Sequence, residues 1–116
     1  MNIDTKRMNY KKRYNEAGQV AVLVSPNFGA GWSTWSHEPA FTEAMVFDSR
    51  LVDAVLAETN NKEFEILCSK LGYTDIYLGG TDDLTVVWLD EGTRFVIEEY
   101  DGSESIRTFD DLVYTA

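Results

Sequence analysis

The sequence predicts an α+β fold: an antiparallel β-meander with two short helices packed on one face. Three observations carry that expectation. β-Branched and apolar runs occur at Gln19–Ser25, Leu84–Leu89, Arg94–Tyr100 and Ser103–Phe109, and glycine-bearing turns separate the last three. Two capped stripes of helical period lie between the first run and the others. The chain has 116 residues, 44% hydrophobic and 26% charged, which fits one ordinary globular domain.

Taken in order, residues 1–17 form a basic segment, either an arm or an edge strand, and 18–116 a single α+β domain. Tyr10, Lys12 and Tyr14 share one parity, which favours a strand through Met8–Tyr14, and edge lysines discourage unwanted pairing. Gln19–Ser25 is apolar on both parities and stops at Pro26, as a strand buried on both faces does. Residues 27–36 fit no period, and their two glycines and two tryptophans mark an ordered loop. Glu38–Phe47 reads either as a short helix opened by Pro39 or as an extended segment. Ser49 is placed to cap a helix running to about Ala57. Asn60 or Asn61 caps a second, whose stripe is Phe64, Leu67, Cys68 and Leu71 and whose C′ residue is Gly72. Ile76–Leu78 reads as a short strand ended by Gly79-Gly80. Asp90-Glu91-Gly92 suits a three-residue hairpin loop, and Asp101-Gly102 a two-residue one.

The Asp-Gly turn fixes a register. If Tyr100 faces Ser103, then Glu98 faces Ser105, Val96 faces Arg107 and Arg94 faces Phe109, all on one side. Phe95 and Ile97, opposite Thr108 and Ile106, form the core side. The register of the preceding strand stays open: one pairing adds Trp88 to the Arg94 face, the other adds Val87 and Leu89 and sends Trp88 to the core with Val86. Arg94 and Arg107 beside Tyr100 and Phe109, with Trp32 and Trp35 from the irregular loop, are candidate binding residues for an anionic, planar ligand or a partner. The plainer account is that the arginines neutralise Glu98 and nearby carboxylates on a half-exposed sheet.

Charge narrows the partners. The net charge is −10, with +3 on residues 1–16 and −13 on 17–116. Duplex nucleic acid is therefore not an expected partner, because phosphate binding needs clustered Lys and Arg. A protein with a basic surface is, with Asp82, Asp83, Asp90, Glu91, Glu98, Asp110 and Asp111 offering the acidic face. The unspecific account is solubility alone. A sheet apolar on both sides also leaves a homodimer open. No apolar run is long enough for a membrane helix and no secretory signal opens the chain, so a cytoplasmic location is expected.

Catalytic patterns are sparse. The only histidine, His37, lies between Ser36 and Glu38, and adjacent residues do not line up a nucleophile, a base and an orienter, so a small hydrolase would need distant partners. Gly29-Ala30-Gly31 lacks the third glycine, the lysine and the following helix of a phosphate loop. Cys68 sits on an apolar helical stripe and reads as a buried, inert thiol. With one cysteine and one histidine the usual zinc frameworks do not arise, and neither a metal nor another cofactor is expected. The expectation is a non-enzyme.

Two stretches, Phe28-Gly29-Ala30-Gly31-Trp32-Ser33-Thr34-Trp35 and Gly92-Thr93-Arg94-Phe95-Val96-Ile97-Glu98-Glu99-Tyr100-Asp101-Gly102-Ser103-Glu104, resemble segments of small phage-encoded proteins, over about residues 18–109. The resemblance brings no activity with it. It implies a setting, the host cytoplasm, in which small acidic phage proteins bind and inhibit host nucleic-acid-handling or defence machines, including restriction and CRISPR systems. Others of that setting sequester nucleotide signals. The leading expectation is a non-catalytic accessory protein that inhibits such a host protein. The alternative is a nucleotide-type ligand binder using the arginine and aromatic face.

Overall fold

A computed structural model describes residues 9–109. Its elements are β1 (Val20–Val24), a 3₁₀ turn (Ser33–Trp35), α1 (Pro39–Phe47), α2 (Ser49–Leu56), α3 (Asn61–Lys70), a second 3₁₀ turn (Thr81–Asp83), β2 (Thr85–Leu89), β3 (Phe95–Tyr100) and β4 (Ser103–Thr108). The fold is α+β, with three helices and two small antiparallel sheets, and none of the described helices is long and apolar enough to cross a membrane.

β1 organises the molecule because every one of its residues is buried. Ala21 and Leu23 pack into a cluster with Trp32, Met45, Leu51, Val52, Phe64 and Cys68 from the loop and helices. Val22 and Val24 point the other way, toward Val46, Phe95, Ile97 and Ile106. Helices therefore cover one face of β1, and the β3–β4 hairpin together with the end of α1, Val46 and Phe47, covers the other. Tyr14 bridges Val20 and Arg13 C=O accepts from Ala21 N–H at 2.9 Å beside β1, while Lys12 bridges Asp48 between α1 and α2; over residues 9–14 these are isolated bridges, and the expected strand does not form there. Met8 lies outside the described residues.

The pairing of β2 departs from the expected meander. β2 joins β1, with Val20 opposite Leu89 and Val24 opposite Thr85, while β3 pairs with β4. The Asp90–Gly92 turn does form, with Thr93 N–H donating to Asp90 C=O at 3.0 Å, but it carries the chain from one sheet to the other. The reason is that β2 packs on both sides, with Val86 to Leu89 half-buried. Val86 and Trp88 pack on the helical cluster, and Val87 and Leu89 on the hairpin cluster. Neither set joins the face that carries Arg94.

Helix boundaries follow local chemistry with two corrections. Of the two readings of Glu38–Phe47 the helix is the one that forms, over Pro39–Phe47, with the Glu38 carboxylate capping Ala40 N–H and Pro39 in the first turn. The cap of α2 is Asp48, not Ser49, because the Asp48 carboxylate accepts from Arg50 N–H at 3.0 Å. Ile76–Leu78 is not a strand: Tyr77 N–H donates to the Ser36 hydroxyl at 3.0 Å, and Ile76 and Leu78 pack on the helical core. At α3 the Asn60 cap forms, and Gly72, at φ 97°, closes a double C-terminal bond in which Tyr73 N–H reaches Cys68 C=O and Gly72 N–H reaches Ser69 C=O.

Candidate functional site

The β3–β4 hairpin has the register its turn chemistry demands. Tyr100 pairs with Ser103, Glu98 with Ser105 and Val96 with Arg107, and Phe109 N–H donates to Arg94 C=O at 3.1 Å. Asp101 and Gly102 both take positive φ, 52° and 87°, as a type I′ turn requires. Alternation then places Arg94, Val96, Glu98, Tyr100, Arg107 and Phe109 on the side away from the core.

That side is open to solvent. Tyr100 is 76% exposed, Val96 40% and Phe109 39%, and Phe28, from the loop after β1, is 71% exposed with its ring edge-on to Tyr100 at 6.1 Å. The Arg107 guanidinium pairs with Glu98 at 2.7 Å, and that of Arg94 lies 5.4 Å from the Phe109 ring centre. Arg107 thus does what the plainer account of this face supposed, while Arg94 makes no ion pair with a described carboxylate.

The two tryptophans part company. Trp32 is fully buried, its indole N–H donating to Met45 C=O at 2.7 Å and its ring edge-on to Phe64. It is a core residue and cannot reach a ligand or partner. Trp35 is half-buried against Tyr77, and its indole N–H donates to Glu99 at 3.0 Å. Glu99 also accepts from Gly102 N–H at 2.7 Å. The backbone bond first, and then the indole bond, hold the Glu99 carboxyl below its ordinary range.

Sequence reading missed Glu104, which is 2% exposed. Its carboxylate accepts from Ser25 N–H at 3.0 Å, Trp32 N–H at 2.9 Å, Thr34 N–H at 3.1 Å and the Thr34 hydroxyl. The glycine-bearing loop after β1 therefore does cradle an anion, but the anion is this chain's own carboxylate. The amides of the Gly29-Ala30-Gly31 segment itself are committed as well: Gly29 N–H to Asp101 C=O, Ala30 N–H to Asn27 C=O and Gly31 N–H to the Ser25 hydroxyl. The available signal was parity, since Glu104 lies opposite Glu99 on the side of Ile97 and Ile106.

Asp48, the other buried carboxylate, is satisfied differently. It accepts from the Arg50 guanidinium at 2.7 and 3.0 Å and from the Tyr73 hydroxyl at 2.8 Å. Burial, and then that bond to Asp48, push the Tyr73 hydroxyl far upward. Cys68 is buried in the same core, and burial pushes its thiol up to about 12, which suits an inert side chain. His37 is exposed, whereas the neighbouring Ser36 hydroxyl is buried and donates to Trp32 C=O at 3.1 Å.

Of the candidate acidic residues, Asp82, Asp90, Glu91 and Glu98 are exposed and Asp83 half-buried. Several anchor neighbours: Asp83 accepts from Asn27, Asp90 from Gln19 and Glu91 from the Tyr14 hydroxyl. Asp110 and Asp111 lie outside the described residues. Among all described carboxylates, only Asp48 and Glu104 are buried, so the acidic surplus is presented to solvent. Comparison with known protein families, with curated proteins and with solved structures found no match.

Proposed function

We propose that the protein is a non-catalytic binding protein whose acidic surface docks on a basic surface of a protein that handles nucleic acid. One observation carries the reading: the described carboxylates, all but Asp48 and Glu104, stand at the surface of a chain with net charge −10. Such a surface attracts and steers a cationic groove and repels nucleic acid itself. Occupying that groove would inhibit the partner. In a phage setting the finer reading is inhibition of a host restriction or CRISPR-type defence protein, in the host cytoplasm.

The alternative, a nucleotide-type ligand held by Arg94, Arg107, Tyr100 and Phe109, has less support. Glu98 already occupies Arg107, and Trp32 is inaccessible.

The test is capture of partners from bacterial lysate on tagged protein, followed by a nucleic-acid-binding assay on the purified partner. A partner retained at about 50 mM salt, released by about 500 mM, and blocked from its nucleic acid is the expected result, because screening shortens the reach of surface charge. A complex indifferent to salt overturns the reading.

A further inference from the structure

We propose that the turn end of the β3–β4 hairpin is the anchor point of the acidic surface, where Phe28 and Tyr100 take an arginine side chain of the basic partner. This anchor rests on the reading above, since a basic partner is what supplies the arginine. Phe28 and Tyr100 are the most exposed large hydrophobic side chains among the described residues. Their rings stand at 80° to each other, edge to face, with ring surface left open to solvent. The backbone beneath them is locked. Gly29 N–H donates to Asp101 C=O at 2.7 Å, and the Ser103 hydroxyl donates to Pro26 C=O at 2.6 Å. Gly102 packs so closely that a Cβ there would stand 2.8 Å from the Gly29 nitrogen. Two rings carried on backbone fixed in advance lose less freedom on binding than rings on a loose loop.

Charge selects the occupant. Three segments meet around the pair, residues 25–36, 79–84 and 95–104. The Asn27 amide donates to Asp83 at 2.6 Å, Gly80 packs on the backbone of Gly31, and Glu104 accepts from Ser25 N–H. These segments contain no lysine or arginine and hold Asp82, Asp83, Glu98, Glu99, Asp101 and Glu104. Of the six only Glu104 is buried, and only Glu98 has an ion pair, with Arg107 from outside the three segments. Elsewhere the chain supplies a ring with its own cation: Lys12 lies over Phe47 and Arg94 over Phe109. No described cation stands over Phe28 or Tyr100. An aromatic face attracts a cation, arginine more often than lysine. The guanidinium is planar and weakly hydrated, so it can stack on a ring while its edge meets a carboxylate. Asp101, exposed and next to Tyr100 in the chain, offers one. Aromatic and arginine anchors of this kind carry much of the energy of protein interfaces.

Fluorescence anisotropy of labelled octa-arginine and octa-lysine peptides, titrated with the full chain at about 50 and about 500 mM salt, tests the proposal. Surface charge alone holds the two peptides alike, whereas an aromatic anchor favours arginine, so octa-arginine should bind more tightly. The double variant Phe28→Leu with Tyr100→Leu keeps apolar side chains and removes both rings. It should weaken octa-arginine by about tenfold and bring it level with octa-lysine. Its melting temperature should hardly change, because both sites are exposed. A salt-sensitive complex whose affinity for octa-arginine the double variant leaves unchanged overturns the anchor and spares the acidic-surface reading. Binding of octa-arginine that salt does not weaken overturns both.

Discussion

The two strand pairs of this molecule are built from strands of similar length and do opposite work. β1 and β2 are packed on both sides, helices on one and the β3–β4 hairpin on the other. β3 and β4 offer the core only Phe95, Ile97 and Ile106 and leave the opposite row in water. The difference shows in burial: Val20-Ala21-Val22-Leu23-Val24 is apolar and buried at every position, whereas inward and exposed residues alternate over Phe95–Glu98 and along β4. A strand buried on both faces is scaffold. A strand with one free face can carry recognition.

The sharpest way to break that comparison is to place the same carboxylate in each strand pair. Val22→Asp would bury a charge among Val46, Phe95 and Ile106 with no partner, a cost of at least about 4 kcal/mol. That is most of a small domain's stability, and the variant should be unfolded by circular dichroism at 25 °C. Val96→Asp should stay within about 0.5 kcal/mol of the parent in urea melts. Comparable losses at the two sites would mean that β3 is not the free-faced strand described.

The same contrast explains what could be read from sequence. The β3–β4 register was legible residue by residue, because Asp101-Gly102 is a turn whose geometry fixes the pairing locally. The partner of β2 was not. Asp90-Glu91-Gly92 forms a turn as its chemistry suggests, but β1 needs a neighbour and lies more than 60 residues away, and that long-range demand outweighs the local one. Trp32 and Trp35 share an irregular loop with no period to say which is buried. The outer face of the candidate site was therefore visible, while the contribution of Trp32 to it was an error. Glu104 was hidden by its charge, although alternation already placed it on the core side.

Glu104 is the joint between the β3–β4 hairpin and the β1–β2 pair, so its removal should be the next largest effect. It ties β4 to the end of β1 twice, through its carboxylate to Ser25 N–H and through its own N–H to Ser25 C=O at 2.8 Å. Glu104→Ala keeps the second bond and strands the donors of Ser25, Trp32 and Thr34, at a cost of about 3 kcal/mol. Leaving those donors unpaired should also release the loop. Faster hydrogen exchange at residues 27–36 than in α2 is the expected signature, and uniform exchange across both would show that the carboxylate is not the joint.

The smallest effect concerns Glu99, across the pair from Glu104 and at the boundary between buried and open parts of the hairpin. Its carboxyl is held below the ordinary value of about 4.3 by Gly102 N–H and the Trp35 indole. A depressed carboxyl contributes stability that is fully present above its unfolded pKa and is lost as pH falls through the folded one. The Trp35 indole proton resonance should therefore titrate with a midpoint below that of a free glutamate, and Glu99→Gln should abolish the step. Screening by solvent keeps the energy small at so exposed a group, so the melting temperature should hardly move above pH 5. A midpoint at or above the free value would break the link between Trp35 and the hairpin, and with it the account of why one tryptophan of the loop is drawn into the core while the other stays half-buried beside Glu99.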